Sequence, residues 1–284
     1  MLFPAWAFSS PNSPVAPERD QAFTKYVEIP GAEKVGAKQC SGCHEEIFKT
    51  FRRATHSMQD LDCEDCHGAG SLHASGEEKY GKIVKFKGLK AENSNGVCLG
   101  CHSGSQHLQN WMSGRHQARD VRCVDCHRIH AKEAVLETRS QQNQRCVACH
   151  RKQAAEGNLP YHHPVREAKM GCADCHDPHG GTAANNLRAD SLNDLCFQCH
   201  AEFQGPFAFQ HAPVVESCAK CHASHGSMHR NMLKVSEPML CLQCHSAHHN
   251  GTTISLLNRC TSCHSSIHGS DVPSATGGSI FIDK

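Results

Sequence analysis

The pentad C-x-x-C-H occurs ten times in a chain of 284 residues. Its first cysteines are Cys40, Cys63, Cys98, Cys123, Cys146, Cys172, Cys196, Cys218, Cys241 and Cys260, and its second are Cys43, Cys66, Cys101, Cys126, Cys149, Cys175, Cys199, Cys221, Cys244 and Cys263. Those are all 20 cysteines, and each pair is followed at once by a histidine: His44, His67, His102, His127, His150, His176, His200, His222, His245 and His264. The spacing puts two thiols and an imidazole on one short turn. A c-type haem needs that arrangement, with two thioethers to the porphyrin vinyl groups and an axial ligand to the iron. Paired C-x-x-C knuckles also hold zinc, and many cysteines can form disulfides, but neither explains a histidine after every pair. Ten covalent haems with their iron are expected. Thioether attachment occurs outside the cytoplasmic membrane, so a periplasmic or outer-membrane location follows.

With the chain anchored this often, little conventional core is needed. Hydrophobic residues make up 38% and aromatics 6%, with 2 Trp and 3 Tyr, which is thin for a core of this length. The expected fold class is a multihaem cytochrome c, mostly irregular loop with short α-helices and negligible β-structure. Helices are expected around Glu45 to Arg53, Ala131 to Asn143 and Arg188 to Leu195, where helix formers cluster with modest amphipathic spacing. The pentads fall into five two-haem repeats starting near residues 40, 98, 146, 196 and 241, a period of 45 to 58 residues. The decahaem domain is expected over 40–269, a flexible arm over 1–39 and a C-terminal tail over 270–284. Within the arm, Met1 to Phe8 resembles the end of a secretory signal with Ala5-Trp6-Ala7 as its cleavage site, and Ser9 to Pro17 is rich in Pro and Ser. Repeats in series favour an elongated stack, which nine steps of roughly 10 Å would extend to ~90 Å, against about 30 Å for a bilayer core.

Fourteen histidines lie outside the pentads, and their positions repeat. In each repeat one falls between the two pentads: His56, His116, His162 or His163, His211, and His248 or His249. Another trails the second pentad: His73, His130, His179, His225 and His268. This yields ten sixth ligands for ten irons. The shared pattern H-x-P-V at His162 and His211 favours His162 over its rival His163, and H-x-x-H at His245 favours His248 over His249. His107 and His229 are left over. An iron held by two imidazoles has no open position for substrate, which suits an electron carrier rather than an enzyme. No C-x-x-C-K occurs, and no catalytic residue is expected. Seven methionines show no repeating offset, and no phosphate loop or nucleophile elbow is present.

The formal net charge is +1, with 29 Lys and Arg against 28 Asp and Glu, and no basic run suggests a nucleic-acid partner. Two propionates per haem would bring ten ferric haems to roughly −10 and ferrous ones to roughly −20. No stretch is long and apolar enough to span a bilayer by itself. To cross a membrane, so polar a chain would need an enclosing protein, and a β-barrel is the architecture that the outer membrane offers.

The runs Tyr161 to Gly180 and Gly205 to Gly226, with their H-x-P-V segments and following pentads, resemble the MtrA/DmsE family of decahaem cytochromes. The resemblance covers Cys40 to about Gly269. It implies bis-histidine ligation throughout and an outer-membrane β-barrel porin that sheathes the chain. It also implies exchange with periplasmic cytochromes on one side, and with a cell-surface multihaem cytochrome or terminal reductase on the other. A soluble periplasmic shuttle needs the same residues and no porin. A multihaem reductase would need one open iron.

Overall fold

Each C-x-x-C-H turn has to be closed by its own flanks, and the residue before the second cysteine decides how. In the second pentads of the first three repeats this residue is Asp65, Asp125 or Asp174. Its carboxylate accepts the backbone N–H of the residue preceding the first cysteine, from Asp62, Arg122 and Gly171, at 2.8, 2.9 and 2.8 Å. An acidic group there satisfies a donor left open by the helix start and meets the positive end of the peptide dipoles. The three turns are α-helical, at Cys63–His67, Cys123–Cys126 and Cys172–Cys175. Lys220 and Ser262 stand at this place in the last two repeats, where Cys218–Lys220 and Cys260–Ser262 form 3-10 turns.

The computed structural model describes residues 20–76, 82–130, 138–245 and 259–272. The expected signal remnant and Pro/Ser-rich arm, Tyr80, His248, His249 and the tail beyond 272 lie outside the described residues, as do 131–137 of one expected helix. The chain divides into two units, Met1–Leu136 and Glu137–Lys284. The first contains α1 (Ala37–Ser41), α2 (Glu45–Phe51), α3 (Cys63–His67), α4 (Ser71–Ala74), α5 (Ala91–His102) and α6 (Cys123–Cys126). The second contains α7 (Arg139–Cys149), α8 (Arg151–Glu156), α9 (Cys172–Cys175), α10 (Leu192–Phe197), α11 (Ala212–Glu216) and α12 (Met239–Leu242). Two-residue strands, β1 (Phe209–Gln210) and β2 (Gly269–Ser270), pair antiparallel with Phe209 opposite Ser270. The short helices, loops and minimal strand content are those of a multihaem cytochrome c.

Helix limits follow the caps. The helix expected around Glu45 to Arg53 is α2. The one expected from Arg188 starts later, at Leu192, because the Ser191 side chain accepts the N–H of Asp194 and caps α10 there. For the one expected from Ala131, the described part opens at Thr138, whose hydroxyl accepts from the N–H of Gln141 while the Gln141 side chain accepts from the N–H of Thr138. This helix, α7, then runs past Asn143 and through the fifth pentad to Cys149.

Polar side chains join the two pentads of each repeat. Asn95, Asn143 and Asn193 each stand three residues before the first cysteine of their repeat. Their Oδ1 atoms accept the N–H of Cys123, Cys172 and Cys218 at 2.8, 2.9 and 2.8 Å. Their Nδ2 groups donate to carbonyls of the approaching segment, among them Val121, Met170 and Val214. Glu237 takes the same part in the fifth repeat by accepting from Thr261 N–H. In the first repeat Glu64 of the second pentad reaches back and accepts from the N–H groups of Val35, Gly36 and Gly70. Asn95, Asn143 and Glu64 are buried, whereas the buried apolar side chains among the described residues are only Phe51, Ala91, Val97, Leu99, Trp111, Leu195 and Pro238. So thin an apolar core cannot offset the conformational entropy of a chain this long. The faces of bound cofactors supply the missing apolar surface.

Candidate functional site

The pentad histidines face second imidazoles. His44 lies 6.2 Å from His73, His67 5.9 Å from His130, and His102 6.0 Å from His56, ring centre to ring centre. In the second unit, His176 lies 6.1 Å from His225, His200 6.4 Å from His163, His222 6.1 Å from His268, and His245 6.1 Å from His211. Direct ring stacking would bring the faces closer. Two imidazoles that coordinate one metal from opposite sides at about 2.0 Å each hold their ring centres about 6.3 Å apart. The residues therefore fit an iron between each pair, with the cysteines of the same turn beside it.

Hydrogen bonds orient several of these rings. Nδ1 of His67 donates to the carbonyl of Val84 at 2.7 Å, and Nδ1 of His163 to that of Ser224 at 2.7 Å. His176 and His222 donate to Asn185 and Asn231, each nine residues on, at 2.9 and 2.8 Å, and His211 donates to Ile267 at 3.0 Å. A carbonyl can only accept, so each Nδ1 carries the proton and Nε2 keeps the lone pair that a metal requires. Burial lowers the pKa of His56, His130, His211 and His268, which favours the same neutral, ligating form.

One pairing bears on the choice between His162 and its rival. The ring opposite His200 belongs to His163 and not to His162. The ring nitrogens of His162 face the Leu159 carbonyl and, at 3.2 Å, Glu167 Oε1, so an acceptor stands at each. His211 and His162 share a sequence pattern but not a setting, because β1 and α11 flank His211, whereas His162 follows the bridge of Tyr161 to Ser227 and precedes a run of turns.

The cysteines show how pentads adjoin. Within each repeat the two first-position thiols are in hydrogen-bond contact: Cys40 with Cys63, Cys98 with Cys123, Cys146 with Cys172, Cys196 with Cys218, and Cys241 with Cys260. Successive repeats of the second unit meet through second-position cysteines, Cys175 near Cys199 and Cys221 near Cys244. From the fifth pentad to the tenth, each turn thus adjoins the next in chain order. As free thiols they are shifted by this crowding. Burial, then the neighbouring Cys40, pushes Cys63 up to about 11, and burial, then Cys218, pushes Cys196 up to about 12.

Sequence reasoning missed the asparagine, Glu64 and Glu237 contacts between pentads. Its available signal was an Asn three residues ahead of Cys98, Cys146 and Cys196. His116, His127, His150, His179 and His264 also lie among the described residues.

Family models match along the chain. The doubled CXXCH motif matches residues 162–205 and 211–250, the NrfB-like cytochrome c-type protein matches 63–141, and the model of cytochrome c554 and c-prime matches 8–68. The multiheme cytochrome MtrA of Shewanella baltica (strain OS185) is 37% identical over 224 residues, which cover 75% of this chain and 67% of that protein.

Proposed function

Because this chain belongs to the MtrA family of multihaem c-type cytochromes, we propose that it conducts electrons across the outer membrane through ten bis-histidine haems inside a β-barrel porin. It is an electron carrier and not an enzyme. Haem c, once attached, supplies an iron that changes oxidation state. The chain's own residues do the rest. Each pair of cysteines anchors one porphyrin by thioethers, the following histidine ligates one face of the iron, and a second histidine closes the other face to substrate and water. The proposed distal set is His56, His73, His116, His130, His163, His179, His211, His225 and His268, with His248 or His249.

The ring pairs at about 6 Å carry this reading. They also support an exchange of ligands between repeats. His56, His163 and His211, each between the pentads of its own repeat, serve the first haem of the following repeat. His130, His225 and His268, each trailing its repeat, serve the second haem of the preceding one. His73 serves the first haem of its own repeat. With contacts from the fifth pentad to the tenth in chain order, electrons would pass from turn to turn in that order.

The MtrA relationship supports an outer-membrane porin, exchange with periplasmic cytochromes, and a cell-surface multihaem cytochrome or terminal reductase beyond. Among the described residues no helix is long and apolar enough to cross a membrane. The test is purification from native outer membranes. Mass spectrometry should find ten haems on the chain, and a β-barrel protein should co-elute at fixed stoichiometry. Full recovery from the soluble periplasmic fraction, free of any barrel, would leave a soluble shuttle instead. A high-spin ferric resonance at native stoichiometry would point to an open iron and a reductase.

A further inference from the structure

The haem ligands are not all supported alike. The Nδ1 groups of His67, His163, His176, His211 and His222 donate to neutral backbone carbonyls. Nδ1 of His225 instead meets a carboxylate, Glu156 Oε2, at 3.2 Å. Two other carboxylates approach ligand rings but stop short. Asp177 Oδ1 is 3.7 Å from Nδ1 of His179, and Glu202 Oε1 is 3.7 Å from Nδ1 of His200, both outside hydrogen-bond reach.

The contact at His225 is built by the fold. Glu156 ends α8, which starts directly after the fifth-pentad histidine, His150. Its carbonyl oxygen lies so close to Gly226 that any Cβ there would clash with it. Next to that glycine, Tyr161 and Ser227 exchange backbone hydrogen bonds of 3.1 and 2.7 Å, holding the segment of His225 against the one that leaves α8. Lys152 Nζ is 3.8 Å from Glu156 Oε1 and largely in solvent, so it offsets little of the charge.

We propose that Glu156 is a positioning residue that makes the haem of the sixth pentad, held by His176 and His225, a low-potential site in the chain. The inference rests on the ligand reading above. A carboxylate accepting from Nδ1–H makes the imidazole more basic and a stronger electron donor through Nε2. That donation stabilises iron(III) over iron(II), and the negative charge does so as well in a partly buried setting. The balance is one electron, delivered to the iron from a neighbouring haem, while the proton stays on Nδ1 of His225. Electrons arriving at the sixth pentad would thus meet an uphill step between its neighbours.

Glu156→Gln keeps the shape and an accepting oxygen but removes the charge. In a spectroelectrochemical titration of the ten-haem protein, about one tenth of the absorbance change should move to higher potential, the ferric-to-ferrous ratio of that haem falling about tenfold at fixed potential, or about 59 mV for one electron. Glu156→Asp, one methylene too short to reach His225 but still charged, should shift the same fraction upward by a smaller amount, and it supplies the readout if the glutamine variant loads haem poorly. Glu167→Gln, beside His162, should leave the curve in place. Superposable curves for wild type and both Glu156 variants would overturn the inference. His225→Ala separates this from failure of the ligand reading. A new high-spin resonance with unmoved Glu156 curves sinks the inference alone, and no high-spin resonance sinks the ligand assignment itself.

Discussion

At residue scale the ligand set comes down to where nitrogens point. His162 and His163 are adjacent, yet only His163 faces a pentad ring, while Leu159 and Glu167 occupy the nitrogens of His162. His163→Ala should therefore convert one haem from low-spin to high-spin in electron paramagnetic resonance of the oxidised protein, and His162→Ala should leave the haem spectrum unchanged. The pentads and most sixth-ligand candidates were legible because covalent attachment demands a fixed spacing and the histidines recur with the repeat. The choice between His162 and His163 was not, since a shared H-x-P-V pattern records sequence offset and not the backbone bend that aims a ring. Glu64 was equally silent in the sequence. It is 3% exposed. Burial works against its charge, but the backbone N–H groups of Val35, Gly36 and Gly70, then Lys34, outweigh that and hold its carboxyl below the ordinary value. A group whose folded pKa is depressed contributes stability that is fully present above the unfolded value, near 4.3, and is lost as pH falls through the folded one. Glu64→Gln should lower stability at neutral pH by about 1–3 kcal/mol and flatten the loss of stability below about pH 4, as measured by thermal unfolding across pH.

At the scale of elements, the repeats are joined by side chains that grip backbone rather than by apolar packing. Asn193 accepts from Cys218 N–H and donates to Val214 and Val215, uniting α10 with the following 3-10 turn. Asn193→Ala strands these groups and should destabilise the haem-loaded protein by about 1–3 kcal/mol, read as a lower thermal midpoint with the haem count unchanged. Lys220 stands where three other repeats carry an acceptor, and its ion pair with Glu216 is solvent-exposed. The N–H of Ser217 already donates to the Pro213 carbonyl at 3.1 Å, so Lys220→Asp gains no unmet donor and should leave the thermal midpoint nearly unchanged, within about 0.5 kcal/mol. The fold class was readable from cysteine density and weak aromatic content. Helix limits were less so, because caps such as Thr138 and Ser191 act through single hydrogen bonds that composition does not register.

At the scale of the whole chain, cofactor and fold are one system. Few apolar side chains are buried among the described residues, and an iron between them accounts for ring pairs held at about 6 Å. Cleaving the thioethers with silver or mercury salts and removing the haem should abolish the helical signal and make the chain broadly sensitive to protease, even at low temperature. Retention of native protection by the stripped polypeptide would show that a side-chain core suffices after all. The five-repeat layout was proposed from the sequence, through the period of 45 to 58 residues. Which repeat serves which iron was not, because loop paths are set by tertiary contacts such as the β1–β2 pair that carries His268 to His222.

The proposed exchange of ligands would limit how such a protein can change over generations. In most tandem-repeat chains a unit can be deleted or duplicated by recombination, and the remainder still closes on itself. Here, excising the fourth repeat, residues 196–240, would deprive the iron at His176 of His225 and the iron at His245 of His211, damaging both flanking modules at once. Lineages of this architecture should therefore hold their repeat number constant and vary instead in the loops between ligands.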